Sequence, residues 1–362
     1  LCMRMFPEGS NLKSWQPSLP APIGRRCQDR DSFLFNDIIV YDIETGAADD
    51  SVRHPDFFDA DDNYISSSNK ARLTMTDWMV SFYHIIDGEV VRYEDCGIPV
   101  FEAFAKYQQP DGQVIFHRGE FEEDPNTDKW CSQMFFNYLM LYANNKKLSK
   151  RIGRKGIARI TTVPCYLVGY NIDSFDTKSI LQRFTDMGWS HDLFPYIIPN
   201  SGTAITQLQI CANETFTAKD GEQRTVKTPF IVTHDVFRLL GCIGSLDAMH
   251  KSYVRAGYTR EQFLELVKTQ TPSEELQQLL MTAYDIGKGD LPHLLTQREG
   301  YKETLSREVK TYQLSDYLEK DRDALQDPAT RTYTFFAKSR AYMQRDLLTT
   351  LALYIAVNKM TM

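Results

Sequence analysis

Ile38-Ile39-Val40-Tyr41-Asp42-Ile43-Glu44 is the stretch whose reading decides the fold. Four successive β-formers read as a strand buried on both faces, expected over Asp37–Ile43. Side chains alternate across a strand, so Asp42 and Glu44 share one face. Two like charges buried side by side are costly unless a cation lies between them, which makes the pair a candidate divalent-metal site. The plainer reading of Asp-x-Glu is a solvated strand face, so the remaining ligands must come from elsewhere in the chain.

Composition bounds the search. The chain has 362 residues, 42% hydrophobic and 25% charged, an ordinary globular balance with room for a large core. A net charge of -7 argues against a protein that coats polyanions generally, so any nucleic-acid contact must use local patches. The seven cysteines (Cys2, Cys27, Cys96, Cys131, Cys165, Cys211, Cys242) are scattered and form no C-x-x-C, which points to an intracellular, reducing compartment and away from a zinc module. No apolar run reaches membrane-spanning length and no signal-peptide core is visible. The chain opens at Leu1, as a processed or incomplete product would. Residues 1–31 read as an irregular N-terminal arm broken by Pro7, Pro17, Pro20 and Pro22; its arginines and serines faintly suggest organellar targeting.

The remainder, 32–362, alternates strand and helix patterns. A hairpin is expected over Leu73–Tyr93, with Met75–Ile86 and Val90–Tyr93 flanking the turn Asp87-Gly88. An acidic loop, Asp49–Asp62, precedes it. Helical spacing marks Trp130–Asn144, a buried strand Val163–Tyr170, and a helix from Asp176 to about Met187. A second hairpin is expected over Ile205–Val232, turning at Lys219-Asp220-Gly221. Further helices are expected at Arg260–Thr269, Ser273–Tyr284, Ser315–Leu325 and Thr330–Asn358. The fold class is α/β: a mixed central sheet with flanking helices.

Two more segments offer carboxylates. In Gly169-Tyr170-Asn171-Ile172-Asp173-Ser174-Phe175-Asp176 a strand ends in a turn and a helix begins. A helix N-cap would explain Asp176 but not Asn171 or Phe175. In Tyr342-Met343-Gln344-Arg345-Asp346 the phenol and the carboxylate are four residues apart and share a helical face. Such a pair commonly marks a half-exposed face, yet Leu347, Leu348, Leu351, Leu353 and Ile355 make this helix heavily apolar. A helix of that kind packs on a sheet and could carry Asp346 towards Asp42 and Glu44.

In this order, Asp42-Ile43-Glu44-Thr45, Gly169–Asp176 and Tyr342–Asp346 resemble the three exonuclease motifs of family B DNA polymerases. Ser245-Leu246-Asp247-Ala248-Met249, after Asp235-Val236-Phe237-Arg238-Leu239-Leu240, resembles the Ser/Thr-Leu-x-x-hydrophobic element of the protein-primed group, the linear-plasmid and viral type; read alone it is an N-capped helix start. The resemblance runs from about Asp37 to Asn358, with close matching confined to these islands. It implies a ribonuclease H-like (DnaQ-like) fold with insertions at about 46–160 and 250–328. The spacing of 134 positions from Asp42 to Asp176 is long for that group. The group's catalytic lysine has no evident counterpart, although Lys251 and Lys268 lie in the relevant region.

The resemblance implies a 3′–5′ exonuclease that hydrolyses phosphodiester bonds in single-stranded or frayed DNA using two divalent cations, Mg2+ or Mn2+, which suit hard oxygen ligands. Asp42 would bridge both ions, Glu44 and Asp346 would complete the first site, Asp176 would serve the second, and Tyr342 would orient the attacking water. The histidine of the sister class, five residues before the last Asp, is replaced here by Ala341. Thr45, Asn171, Phe175, Ser245 and Leu246 would grip the 3′ end. The basic run Lys146-Lys147-Leu148-Ser149-Lys150-Arg151-Ile152-Gly153-Arg154-Lys155 could bind the phosphate backbone, or be a solvated helix end. The seven histidines lack ligand spacing and read as structural. The polymerase palm signatures Asp-x-x-Ser-Leu-Tyr-Pro and Tyr-x-Asp-Thr-Asp are absent, so the chain does not polymerise DNA. A separate polymerase subunit or a larger nucleoprotein assembly is the implied partner, in a mitochondrial or a viral or plasmid setting. An RNA substrate, or a non-catalytic binding or structural subunit on the same fold, are the alternatives.

Overall fold

The apolar run that begins at Ile38 is paired on both sides, as its composition requires. The computed structural model describes residues 37–47, 75–96, 99–117, 130–152, 164–186, 192–199, 205–289 and 337–360. The N-terminal arm, the acidic loop, the helix expected at Ser315–Leu325, and Arg154 and Lys155 lie outside them.

Eight strands form one mixed sheet: β1 (Ile38–Ala47), β2 (Met75–Ile86), β3 (Glu89–Val90), β4 (Val114–His117), β5 (Cys165–Gly169), β6 (Phe194–Pro199), β7 (Ile205–Thr217) and β8 (Gln223–Asp235). Their order is β3-β2-β1-β5-β8-β7-β6, with β4 also on β2. β1, β5 and β8 run parallel at the centre, and their neighbours are antiparallel. The helices are α1 (Pro99–Glu102), α2 (Trp130–Ile152), α3 (Asp176–Asp186), α4 (Val236–Leu239), α5 (Leu246–His250), α6 (Arg260–Gln270), α7 (Glu274–Ile286) and α8 (Ala337–Met360). The segment expected as an insertion, 46–160, supplies β2, β3, β4 and α2.

Period-two alternation divides the core into two layers. Ile39, Tyr41 and Ile43 pack with Val80, Phe82 and the α2 face that includes Phe135, Tyr138 and Leu139. Ile38 and Val40 pack on the opposite side with Leu347, Leu351 and Ile355 of α8, Phe263 of α6 and Leu280 of α7. α8 is apolar nearly all round because it is covered nearly all round, by the sheet and by α5 and α7.

Local signals place most boundaries. Asp87 and Gly88 both take positive φ, 59° and 77°, as the tight β2–β3 turn demands. Thr259 and Gln262 form a capping box at the start of α6, and Ser273 caps α7. β4 and β6 carried no usable sequence signal: one has four residues, and the other has Pro195 and Pro199 in a six-residue edge strand.

Candidate functional site

The site starts where the sheet opens. β1 pairs with β5 only over Ile38–Val40, then continues to Ala47 on β2 alone. Beyond Val40 the β5 side of β1 is left to side chains and turns. Asp42 and Glu44 continue the face of Ile38 and Val40, which is the α8 face, and lie opposite Ser81 and Met79 of β2. Glu44 is buried and Asp42 partly so.

α8 delivers Asp346 and Tyr342 to that face. Both are buried, Tyr342 against Met79, Ile115 and Met343. β5 delivers Asp176 through a tight turn: at Gly169 a Cβ would fall 2.2 Å from Ile172 and 3.1 Å from the Tyr41 carbonyl, so only glycine fits. Asn171 then takes φ 60°, which asparagine tolerates. Asp176 opens α3, with the backbone N–H groups of Ile43 and of Asp176 itself near enough to favour its charged form. That proximity brings the second motif to the first.

The four carboxylates act on one another. Burial, then Asp346, push Asp42 up to about 7. Burial, then Asp42, Asp346 and Asp176, raise Glu44 well above the ordinary range. Burial, then Asp42, do the same to Asp176, and burial raises Asp346. Burial and the charges of Glu44, Asp346 and Asp42 hold the Tyr342 phenol far above its usual value, so it stays protonated at any physiological pH. Lys288 and Arg345 offset charge here: Lys288 Nζ lies 3.0 Å from Asp346 Oδ2 and 5.7 Å from the Tyr342 ring centre, and Arg345 also acts on Asp346. Burial would lower Lys288, but Asp346, Asp42 and Glu44 outweigh it and raise it. Arg345 pins the Lys288 segment to α8 through the carbonyls of Gly287 and Lys288, at 3.3 and 3.2 Å.

Lys251 and Lys268, the two lysines named from sequence, lie elsewhere. Lys251 pairs with Asp247 and Lys268 with Glu265, both on exposed helical faces within their own helical segments. Sequence reasoning missed Lys288 because Gly287-Lys288-Gly289 has no periodicity and its place depends on Arg345. It also passed over Asp173, which is buried and ion-paired to Arg238 at 2.7 Å.

The expected strand contacts divide. Phe175 is 42% exposed, and Asn171 is exposed with Oδ1 accepting from Ser174 Oγ at 2.8 Å. Thr45 follows a register shift in β1. Ser245 is exposed and caps α5, accepting from the Ala248 N–H at 3.3 Å; the Tyr170 hydroxyl donates to the neighbouring Gly244 carbonyl at 2.8 Å and holds this loop against the second motif. Leu246 corrects the expectation: it is buried in the core with Val168, Val236 and Leu240, so it is not available to a base. Ser245→Ala should cost about 1 kcal/mol as a lost cap, whereas Leu246→Ala should cost about 2–5 kcal/mol as a core cavity. Melting curves of the two variants check this ranking.

The basic run needs a larger correction. Lys146 and Lys147 are not solvated phosphate ligands but buried side chains of α2. Lys146 Nζ lies 2.8 Å from Asp37 Oδ2, and Lys147 Nζ lies 3.6 Å from Asp192 Oδ2. Lys150 and Arg151 follow in the last turns of α2.

Asp37 anchors a separate polar centre at the other end of β1. It also meets His84 Nε2 at 3.0 Å and the Tyr142 hydroxyl, while His84 Nδ1 meets the Tyr138 hydroxyl. Asp37, His84 and Cys165 bring ligand atoms within 4.8 Å of one another, so this buried group could hold a metal ion. Here the Lys146 ammonium already supplies a cation: burial alone would raise Asp37, but Lys146 and His84 hold it well below the carboxylate range. His84 is thus part of a structural network, and His234 meets Tyr354 at 3.1 Å between sheet and α8.

Fit to a cation can be judged at the four-acid site from its donors. Asp42, Glu44, Asp176 and Asp346 offer hard oxygens only, burial and mutual repulsion oppose their ionisation, and one ammonium offsets part of the charge. Hard oxygens of that kind suit divalent magnesium or manganese, but no three of these four carboxylates bring ligand atoms within 4.8 Å of one another; among the described residues Asp37, His84 and Cys165 do. No known protein family matches this chain, and no curated protein and no solved structure matches it.

Proposed function

We propose that this chain is a metal-dependent 3′–5′ exonuclease domain of the tyrosine-type, ribonuclease H-like (DnaQ-like) class, nearest in its motifs to the protein-primed family B polymerases. The observation that carries the reading is that Asp42, Glu44, Asp176 and Asp346, from three segments far apart in sequence, lie near enough for their charges to act on one another, with Tyr342 beside Glu44, Asp346 and Asp42. A central sheet flanked by helices on both faces is compatible with that fold.

In this reading Asp42, Glu44 and Asp346 would hold one divalent cation, and Asp42 with Asp176 a second. Bound there, such ions stabilise the charge that develops on the attacking and leaving oxygens of a phosphodiester. Tyr342 stays protonated, so its phenol orients a water by hydrogen bonding and does not take its proton. Lys288 offsets the charge of Asp346 and steadies that carboxylate. Phe175 offers an exposed ring to a terminal base, and Asn171 and Ser245 offer polar groups to the backbone. The surrounding acids repel phosphates, which makes aromatic grip on the strand more important.

The direct test is incubation with 3′- or 5′-labelled single-stranded DNA and RNA, with Mg2+ or Mn2+ and with chelator. A ladder that shortens from the 3′ end in metal alone supports the reading, and the preferred sugar identifies the substrate. Binding without cleavage would sink it in favour of a binding module. Phe175→Ala should weaken oligonucleotide affinity by about 1–3 kcal/mol, the value of one base–aromatic stack. Because the ring is 42% exposed, melting should barely move. Fluorescence anisotropy with a labelled oligonucleotide measures the first and a thermal melt the second.

A further inference from the structure

We infer that Asp235 is a positioning residue: its carboxylate holds the Tyr170–Phe175 turn in the one conformation that presents Asp176 to the acidic cluster. The inference rests on the exonuclease reading for its consequence, though not for its geometry.

Asp235 ends β8, opposite Gly169 at the end of β5, and is buried. Its two oxygens accept three backbone N–H groups. Oδ1 takes Asn171 at 2.7 Å and Phe237 at 3.0 Å, and Oδ2 takes Asp173 at 3.1 Å. A helix cap explains the Phe237 bond alone, and α4 has only four residues. The other two bonds reach 64 and 62 residues back in the chain, to the second-motif turn.

That turn needs an external hold. Asn171 sits at φ 60°, and Gly169 lets Ile172 close onto it. A non-glycine residue in the left-handed region persists when its surroundings over-determine it. Asp235 is the hub of that surrounding structure. Arg238, three residues on, ion-pairs with Asp173 at 2.7 Å, and Thr177 Oγ1 donates to Asp173 at 3.4 Å in the first turn of α3. Tyr170 is tied to Gly244 in the same loop. Asp235 is also near enough for its charge to act on Asp176. A carboxylate suits the position because both oxygens accept. Asparagine would keep one acceptor and turn its NH2 group towards the Asp173 N–H.

The test compares the full chain with Asp235→Ala, Asp235→Asn and Leu266→Ala. The last removes core volume in α6, away from the site. Three readouts are taken: amide exchange at Asn171 and Asp173, Mn2+ affinity by calorimetry, and 3′-end cleavage. Asp235→Ala should speed exchange at those two amides by about tenfold, as loss of a buried hydrogen bond does. Its Mn2+ affinity should drop about 10- to 100-fold, the usual effect of removing a group that orients a ligand. Asp235→Asn should fall between it and the native chain, with Asn171 still protected and Asp173 not, and it carries the test if the alanine variant does not fold. Leu266→Ala should lower melting and leave Mn2+ affinity and Asn171 exchange unchanged. Native exchange and Mn2+ affinity in Asp235→Ala, or equal losses in Leu266→Ala, overturn the inference. A native chain that neither binds Mn2+ nor cleaves overturns the exonuclease reading instead, while amide exchange still decides whether Asp235 holds the turn.

Discussion

Asp42→Ala should reduce 3′-end cleavage by at least ~10³-fold, about 4 kcal/mol of barrier at 1.36 kcal/mol per decade, while the metal-free protein melts no lower than the native chain. Both halves come from the same crowding. Asp42 lies at the centre of the group: it acts on Glu44 and Asp176 and is itself raised to about 7 by burial and by Asp346. Removing it relieves burial and repulsion that outweigh the Lys288 attraction and the Ile43 backbone interaction it gives up in the metal-free protein. In the proposed reading Asp42 would serve both cations, so its loss would remove charge needed to hold them. Melting with and without Mn2+ separates the effects. The native chain should gain about 2.7 kcal/mol at a hundredfold excess of Mn2+ over its dissociation constant, and the variant should gain far less. An Asp42→Ala protein that cleaves at near-native rates would remove the catalytic assignment, and one that melts well below the native chain would contradict the electrostatic account.

The largest loss of stability should come from the opposite end of β1. Asp37→Ala leaves the Lys146 ammonium buried without its carboxylate, and breaking a buried pair from one side costs about 3–5 kcal/mol. His84 and Tyr142 lose an acceptor at the same time. Adding Lys146→Met to Asp37→Ala should recover part of the loss, because it removes the stranded charge. The pH dependence has a definite sign. Asp37 is held below its unfolded value, so its contribution is present above the ordinary carboxylate range, near pH 4, and is lost as pH falls through the lower folded value. Acid should therefore destabilise the native chain more steeply than Asp37→Ala below about pH 4. Chemical denaturation across pH measures both slopes. Parallel acid limbs would show that Asp37 is not ionised in the folded protein. Cleavage by a folded Asp37→Ala sample in the cold should stay near native, since this centre lies outside the acidic cluster.

What the sequence determined by itself is what repeats within a few residues. The alternation from Ile38 to Glu44 set strand, buried faces and the shared side of the two acids, and the residues two apart stayed on that side when α8 was added. The turn at Asp87-Gly88, the cap at Ser245, and the four-residue spacing of Tyr342 and Asp346 are of the same kind. The order of the three acidic motifs was legible too, because each brings its own strand or helix context. Tertiary structure alone decided which charges meet. Lys146 looked like one of six cations in a solvated run, yet its partner Asp37 lies 109 residues earlier. Lys288 has no pattern around it and reaches Asp346 because Arg345 holds its backbone from 57 residues away. Leu246 was read as a strand contact and is core, because Val236 and α8 cover it. Asp235 stood only at the head of a lead-in to Ser245, and the Asn171 and Asp173 amides reach it from the turn after β5. The physical reason is common to all four. Periodicity and capping depend on backbone geometry between near neighbours, whereas the fate of a polar side chain depends on whichever groups the packed layers bring within hydrogen-bond reach.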